Sequence, residues 1–190
     1  MSSRRSLLRL TPLLVIETAA EIQLLNEANQ MPYLQAALKE SMRMHPAVGM
    51  LLERVVPEDG VSIAGTFLPA GTIIGICPWV LHRVSRVFGE DADTFRPERW
   101  LEASPEALKV MERSNLAFGA SPCTCVGKHI SLLEMSKIVP QLLWTFELEL
   151  AQPDKEWKLH DMWFVKQLDF NVYVKRHPGR SVLLEDGKVY

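Results

Sequence analysis

Cysteine is scarce in this chain, with three among 190 residues at positions 77, 123 and 125. That is too few for the disulfide framework of a small secreted domain, and it suits a reducing, intracellular compartment. Neither sign of charge prevails, since 21 lysines and arginines face 23 aspartates and glutamates for a formal net charge of −2. The basic footprint of a nucleic-acid binder is therefore missing, and nothing suggests a polyanionic partner. Long apolar runs are lacking too. Leu13-Leu14-Val15-Ile16 is too short for a signal core or a membrane-spanning helix. Arg4, Arg5 and Arg9, with no acid before residue 17, bear a faint likeness to a targeting peptide. No internal repeat, low-complexity tract or interdomain linker is visible. What remains is an ordinary globular balance, 47% hydrophobic and 23% charged. It excludes disorder and allows one core.

The local patterns predict a mainly α chain with small β-sheets, an α+β protein. Thr18-Ala19-Ala20-Glu21 reads as a capping box opening a short helix that residues 26–30 close. Residues 31–46 read as a helix with Pro32 in the first turn. Pro46 ends it, because the residue before a proline is pushed out of the helical region. Strands are expected at 61–63, 66–68 and 72–76, with turns at Ala64-Gly65 and Pro69-Ala70-Gly71. Residues 87–117 read as irregular apart from a short helix at 105–112. The strongest helical pattern covers 127–146, where Ile130, Leu133, Met135, Ile138, Leu142 and Leu143 recur near helical spacing. Pro140 lies inside it as a candidate kink.

Two constellations carry chemistry. In Phe118-Gly119-Ala120-Ser121-Pro122-Cys123-Thr124-Cys125-Val126-Gly127, a cysteine sits seven residues after an aromatic and two before a glycine, just ahead of a helix. A helix N-terminus favours a thiolate through its free N–H groups and the positive end of its dipole. Gly127 would let the backbone approach a flat ligand, and Phe118 could pack on that ligand. Cys123 and Cys125 also admit a redox or zinc reading, but zinc needs about four ligands and His82 and His129 lack zinc spacing. The second constellation is Glu40 and Arg43, three apart and so on one helix face. Taken alone, such a pair is exposed and worth little. His82 and Arg83, in Val80-Leu81-His82-Arg83, read either as structural or as neighbours of a bound cofactor.

These elements, with Phe95-Arg96-Pro97-Glu98-Arg99-Trp100 between them, resemble the cytochrome P-450 family, the heme-thiolate monooxygenases. The resemblance spans residues 31–174. It extends to Phe67-Leu68-Pro69-Ala70-Gly71-Thr72 and Phe88-Gly89-Glu90-Asp91-Ala92-Asp93, which look closest to fungal secondary-metabolism members. It implies heme b as cofactor and Cys125 as the axial ligand of its iron. Arg54 would pair with a heme propionate, with Phe118 and Gly127 beside the heme. Glu40, Arg43 and Arg99 would form a buried cluster anchoring the cysteine loop. Residues 157–159 and 170–174 resemble the family's terminal β-hairpin. No separate catalytic side chain is assigned.

The chain departs from the family pattern at Ser121, where a glycine is usual, and at Cys123, where a basic residue is usual. A β-carbon at 121 is expected to strain or reshape the loop. Loss of the basic residue's charge-assisted bond to a propionate costs on the order of 1.5 to 3 kcal/mol, so weakened heme affinity is expected.

The resemblance reaches only the C-terminal, proximal-heme part of the family's single domain. Residues 1–30 read as an N-terminal extension with a short helix, 31–175 as a partial domain, and 176–190 as a loose tail. Nothing matches the family's long central helix, the roof of its substrate pocket, or its N-terminal membrane anchor. The chain is accordingly read as a truncated heme-thiolate monooxygenase, one whose family inserts an oxygen atom from O2 into an organic substrate. Its implied partners are an NADPH-dependent reductase and a lipophilic small molecule, with no nucleic acid. The alternatives are a noncatalytic remnant or interaction module, or one half of a split enzyme completed by a complementary chain. Autonomous activity is not expected of it.

Overall fold

The computed structural model describes residue 28 and residues 30–178. The predicted helix around 18–30 and most of the C-terminal tail lie outside the described residues. Helix α1, Pro32–Met44, starts with proline in its first turn and stops at His45, whose backbone N–H returns to Ser41 O at 2.9 Å. Proline suits the first turn because its missing N–H would have had no helical partner there.

Two small cores flank α1. On one side Leu34 and Leu38 pack with Ala28, Met31, Met135, Val139 and Trp144. On the other, Ala36 meets Phe88, Ala92, Trp100 and Met111. The four-residue separations of Leu34 from Leu38 and of Ala36 from Glu40 align each set along the helix. Met135, Val139 and Trp144 come from the long helix at residues 128–145. Apart from Ala36, the second core comes from residues 85–114, most of which lie in the stretch 87–117 expected to be irregular outside a helix at 105–112.

Residues 85–114 hold three helices. After α2, Pro78–Leu81, these are α3, Ser85–Phe88; α4, Arg99–Glu102; and α5, Pro105–Ser114. Ser104 caps α5, its hydroxyl accepting from Ala107 N–H at 3.2 Å. A 3-10 turn covers Ser121–Cys123, and α6 runs over Lys128–Thr145 with Pro140 inside its assigned length.

Among the described residues, eight strands form four separate antiparallel pairs. Strand β1, Leu52–Val55, pairs with β4, Ile73–Ile76, while β2, Val61–Ile63, pairs with β3, Thr66–Leu68. Ala64 and Gly65 turn the β2–β3 hairpin with φ of 50° and 82°. A turn with two left-handed residues matches strand twist, and this makes the short hairpin compact.

The expected terminal hairpin is corrected by the strand register. Strand β5, Phe146–Leu150, pairs with β8, Val172–Arg176, and β6, Lys158–Asp161, pairs with β7, Val165–Leu168. Residues 157–159 and 170–174 are thus not ladder partners. Trp157 and Phe170 meet instead through their rings, T-shaped at 5.1 Å. Among the described residues, no helix is long and apolar enough to cross a membrane.

Candidate functional site

The buried anchor is built on α1. Glu40 and Arg43 fall on the same face, and both are completely shielded from solvent. The Glu40 carboxylate accepts from Arg43 Nε and Nη2, both at 2.8 Å, and from Arg99 Nε at 2.9 Å. Arg96 backbone N–H at 3.0 Å and Trp100 Nε1–H at 2.9 Å complete the set. Burial alone pushes this carboxyl up. The Arg43 hydrogen bond and charge, the Arg96 N–H and the Arg99 charge outweigh it and leave Glu40 below its ordinary 4.5.

The arginines spend most of their remaining donors on backbone oxygens. Arg43 Nη1 donates to His82 O at 2.6 Å and to Ala92 O at 2.7 Å, and Nη2 reaches Thr94 O at 3.3 Å. Arg99 Nη1 donates to Phe88 O and to Asp91 Oδ1, while Nη2 donates to Asp91 O and Thr94 O, each at 3.0 Å. The cluster therefore clamps residues 82–100 around the end of α1. Unpaired, these charges would be costly to bury; with every polar neighbour aimed at them, they become a positioning device.

The cysteine loop lies between α5 and α6. Gly119 turns it with φ of 71°, and a side chain there would begin 2.9 Å from Cys123 O, so glycine is required twice over. Its N–H donates to Leu116 O at 2.9 Å. Cys125 N–H donates to Phe118 O at 2.8 Å, and Cys125 O accepts from Lys128 N–H at 3.2 Å as α6 begins. The expected strain at Ser121 is not needed for this path, because the left-handed step falls on Gly119. Ser121 itself belongs to the 3-10 turn, a backbone open to any residue.

All three cysteines are free, and the Cys125 thiol is exposed. Among the described residues, no three His, Cys, Asp or Glu side chains gather as an ion-binding cluster. A β-carbon at Gly127 would stand 3.8 Å from Cys125 Sγ. Val126 is 100% exposed and Ile130 is 63% exposed. These features fit a heme on its sulfur side, where a free thiol on a closed backbone loop lies among apolar groups.

The predicted residues do not all converge. Glu40, Arg43 and Arg99 come together directly. Phe118 joins Cys125 through its backbone oxygen. Arg54 stands on β1, exposed, with Nη1 donating to the neighbouring Glu53 O at 2.6 Å. His82 is buried in the anchor, its Nδ1 facing Arg43 O at 3.0 Å and its Nε2 accepting from Leu116 N–H at 2.8 Å. Trp100 was not singled out from sequence. Its signal was adjacency to Arg99, since a buried indole N–H demands a partner.

The family model described as Cytochrome P450 matches residues 15–171. The cytochrome P450 monooxygenase cicH of Emericella nidulans is 47% identical over 157 residues, covering 83% of this chain and 31% of that protein. A pisatin demethylase of Fusarium vanettenii is 45% identical over 160 residues, covering 84% of this chain and 30% of its own. The cytochrome P450 monooxygenase esdpH of Penicillium shearii is 40% identical over 155 residues, 82% of this chain and 31% of the relative. The chain thus spans about a third of the length of these curated relatives.

Proposed function

The chain belongs to the cytochrome P450 family, and from that premise we propose that it forms the sulfur-donating side of a heme-thiolate monooxygenase acting on a lipophilic organic substrate. The observation that supports this most is the exposed Cys125 thiol, carried on a backbone loop that leaves the buried Glu40–Arg43–Arg99 anchor. Bound heme would supply oxygen activation and electron acceptance, with the thiolate ligand favouring O–O cleavage.

This chain's residues would place and restrain that group. Cys125 supplies the sulfur, while the Cys125 N–H to Phe118 O bond fixes its approach. Gly127 leaves room next to the sulfur, and Arg54 is exposed on β1, where its guanidinium could meet a propionate. The relatives' names are those of monooxygenases and a demethylase, which fits a reductase-fed oxidation of a secondary metabolite. A complementary chain or further polypeptide is favoured by one observation, the large apolar side chains left exposed at Trp163, Phe164, Tyr173 and Val174. A noncatalytic module would share that feature.

The reduced carbon-monoxide spectrum of heme-reconstituted protein tests the assignment. Cys125→Ser is expected to abolish the thiolate band, and Cys123→Ser to keep it, with free heme as the control. The opposite pattern would transfer the ligand role to Cys123, and no thiolate band in any variant would refute the proposed function.

A further inference from the structure

His82 is bound at three points by two distant parts of the chain, Arg43 and Leu116. Its carbonyl accepts from Arg43 Nη1 at 2.6 Å, its Nδ1 lies 3.0 Å from Arg43 O, and its Nε2 lies 2.8 Å from Leu116 N. Arg43 O can only accept and Leu116 N–H can only donate. The proton therefore sits on Nδ1 and the lone pair on Nε2, a neutral ring with both nitrogens committed. The ring is fully buried, and Phe88 holds it edge-on with centroids 6.1 Å apart.

Leu116 is where the anchor passes to the cysteine loop. Its oxygen accepts from Gly119 N–H at 2.9 Å, and two residues on, Phe118 O accepts from Cys125 N–H at 2.8 Å. Arg43 O, His82, Leu116, Phe118 and Cys125 thus form one short route of hydrogen bonds and peptide links. Among the described residues, this route joins the Glu40–Arg43–Arg99 cluster to the sulfur-bearing residue through a side chain that is charged in neither partner. We propose that His82 is a positioning residue for the Cys125 loop: its Nε2 lone pair fixes where the segment 116–125 departs from the anchor. The link to ligation rests on the proposed function, whereas the link to the loop does not.

Two isosteric halves of the ring separate the contacts. In His82→Asn an amide N–H fills the Nδ1 position and the side chain stops short of Leu116. In His82→Gln an amide oxygen reaches the Nε2 position and keeps the acceptor. Amide hydrogen exchange on the full chain without heme is the first readout. His82→Asn is expected to speed exchange at Leu116, Gly119 and Cys125 by about tenfold or more, with the α1 amides unchanged and His82→Gln within about threefold of the parent. Parent rates at Gly119 and Cys125 in His82→Asn, or equal loss in both variants, would overturn the proposal. Nitrogen shifts of His82 in the unaltered chain need no variant, and an Nε2–H tautomer there would overturn it as well.

Heme-reconstituted protein supplies the second readout. In the reduced carbon-monoxide complex, His82→Asn is expected to move intensity from the thiolate band to the protonated-thiol band, and His82→Gln to retain the thiolate band. Faster loop exchange with an unchanged thiolate fraction would reduce His82 to a structural contact and sink the positioning role. A parent chain with no thiolate band would refute the proposed function, while the exchange result would still decide the tie between His82 and the loop.

Discussion

Around Glu40 the polar groups are inside and paired; around Cys125 and the strand pairs, apolar groups are outside and uncovered. The carboxylate accepts five hydrogen bonds from Arg43, Arg96, Arg99 and Trp100 without a solvent-facing atom. Val126, Ile130, Phe67 and Trp163 are exposed by more than half of their surface. Soluble proteins seldom leave so much large apolar surface open unless something else meets it. The contrast separates two kinds of work. The anchor is completed within residues 40–100 and sets backbone positions, whereas the loop and hairpins leave large apolar side chains exposed.

The largest break in that contrast comes from opening the anchor. Glu40→Ala removes the acceptor shared by two buried guanidinium groups and the Trp100 N–H, leaving both cations in a site shielded from water. The expected loss is about 3 to 5 kcal/mol in denaturant unfolding, against about 1 or less for an exposed pair. Lys39 of α1 and Glu112 of α5 provide the exposed comparison, at 2.8 Å with both side chains over 40% exposed. A Glu40→Ala loss under about 1 kcal/mol would show that the cluster does not assemble in solution.

Part of the anchor is legible locally, in helix α1 and the shared face of Glu40 and Arg43, whereas its meeting with Arg99, 59 residues away, is implied only by the family resemblance. Pro32 and Pro46 bound α1, the spacing of Glu40 and Arg43 sets their common face, and the motif at Phe95–Trp100 carries Arg99. The turn carrying Cys125 ahead of α6 is legible through Phe118 and Gly127, and its role as a ligand is what the resemblance implies. The strand pairing was not legible. Phe146-Glu147-Leu148-Glu149-Leu150 alternates strictly, a strand signal, but its first residue was absorbed into the preceding apolar helix pattern. Its partner Val172–Arg176 was then assigned to a closer neighbour. The role of His82 was hidden differently. Its ring partners Arg43 and Leu116 are 39 and 34 residues away, and no spacing rule connects residues so far apart.

An intermediate effect comes from acid. Burial, the first cause, lowers His82 from 6.5 to about 4; the Arg43 carbonyl acts against it, and the Arg43 and Arg83 charges act with it. The unfolded chain takes a proton near 6.5 while the folded chain waits until about 4, so between them the unfolded state holds more protons. Stability is therefore full above 6.5 and falls as pH drops through that window, by roughly 3 kcal/mol in total. Glu40 belongs to a lower window. Its stabilisation is present above its ordinary 4.5 and is lost as pH falls through the lowered folded value. His45 is also lowered, mainly by burial, so the comparison must be a difference. The advantage of the parent over His82→Gln should shrink by roughly 3 kcal/mol between pH 7 and 4. Parallel unfolding curves across that range would contradict a buried neutral ring.

The smallest effect sharpens the other half of the comparison. Val126 adjoins the proposed ligand and is 100% exposed, so Val126→Ala removes two methyl groups that touch only water in the heme-free chain. Truncating a packed aliphatic residue to alanine in a core costs about 2 to 5 kcal/mol; here the expected change is within about 0.5. Denaturant unfolding of dilute heme-free protein reads the difference. A loss above about 1 kcal/mol would place Val126 against protein in solution, and the uncovered fringe would then be packed. If that loss appears only as concentration rises, the covering surface belongs to another copy of the chain, because only an associating species makes stability depend on concentration.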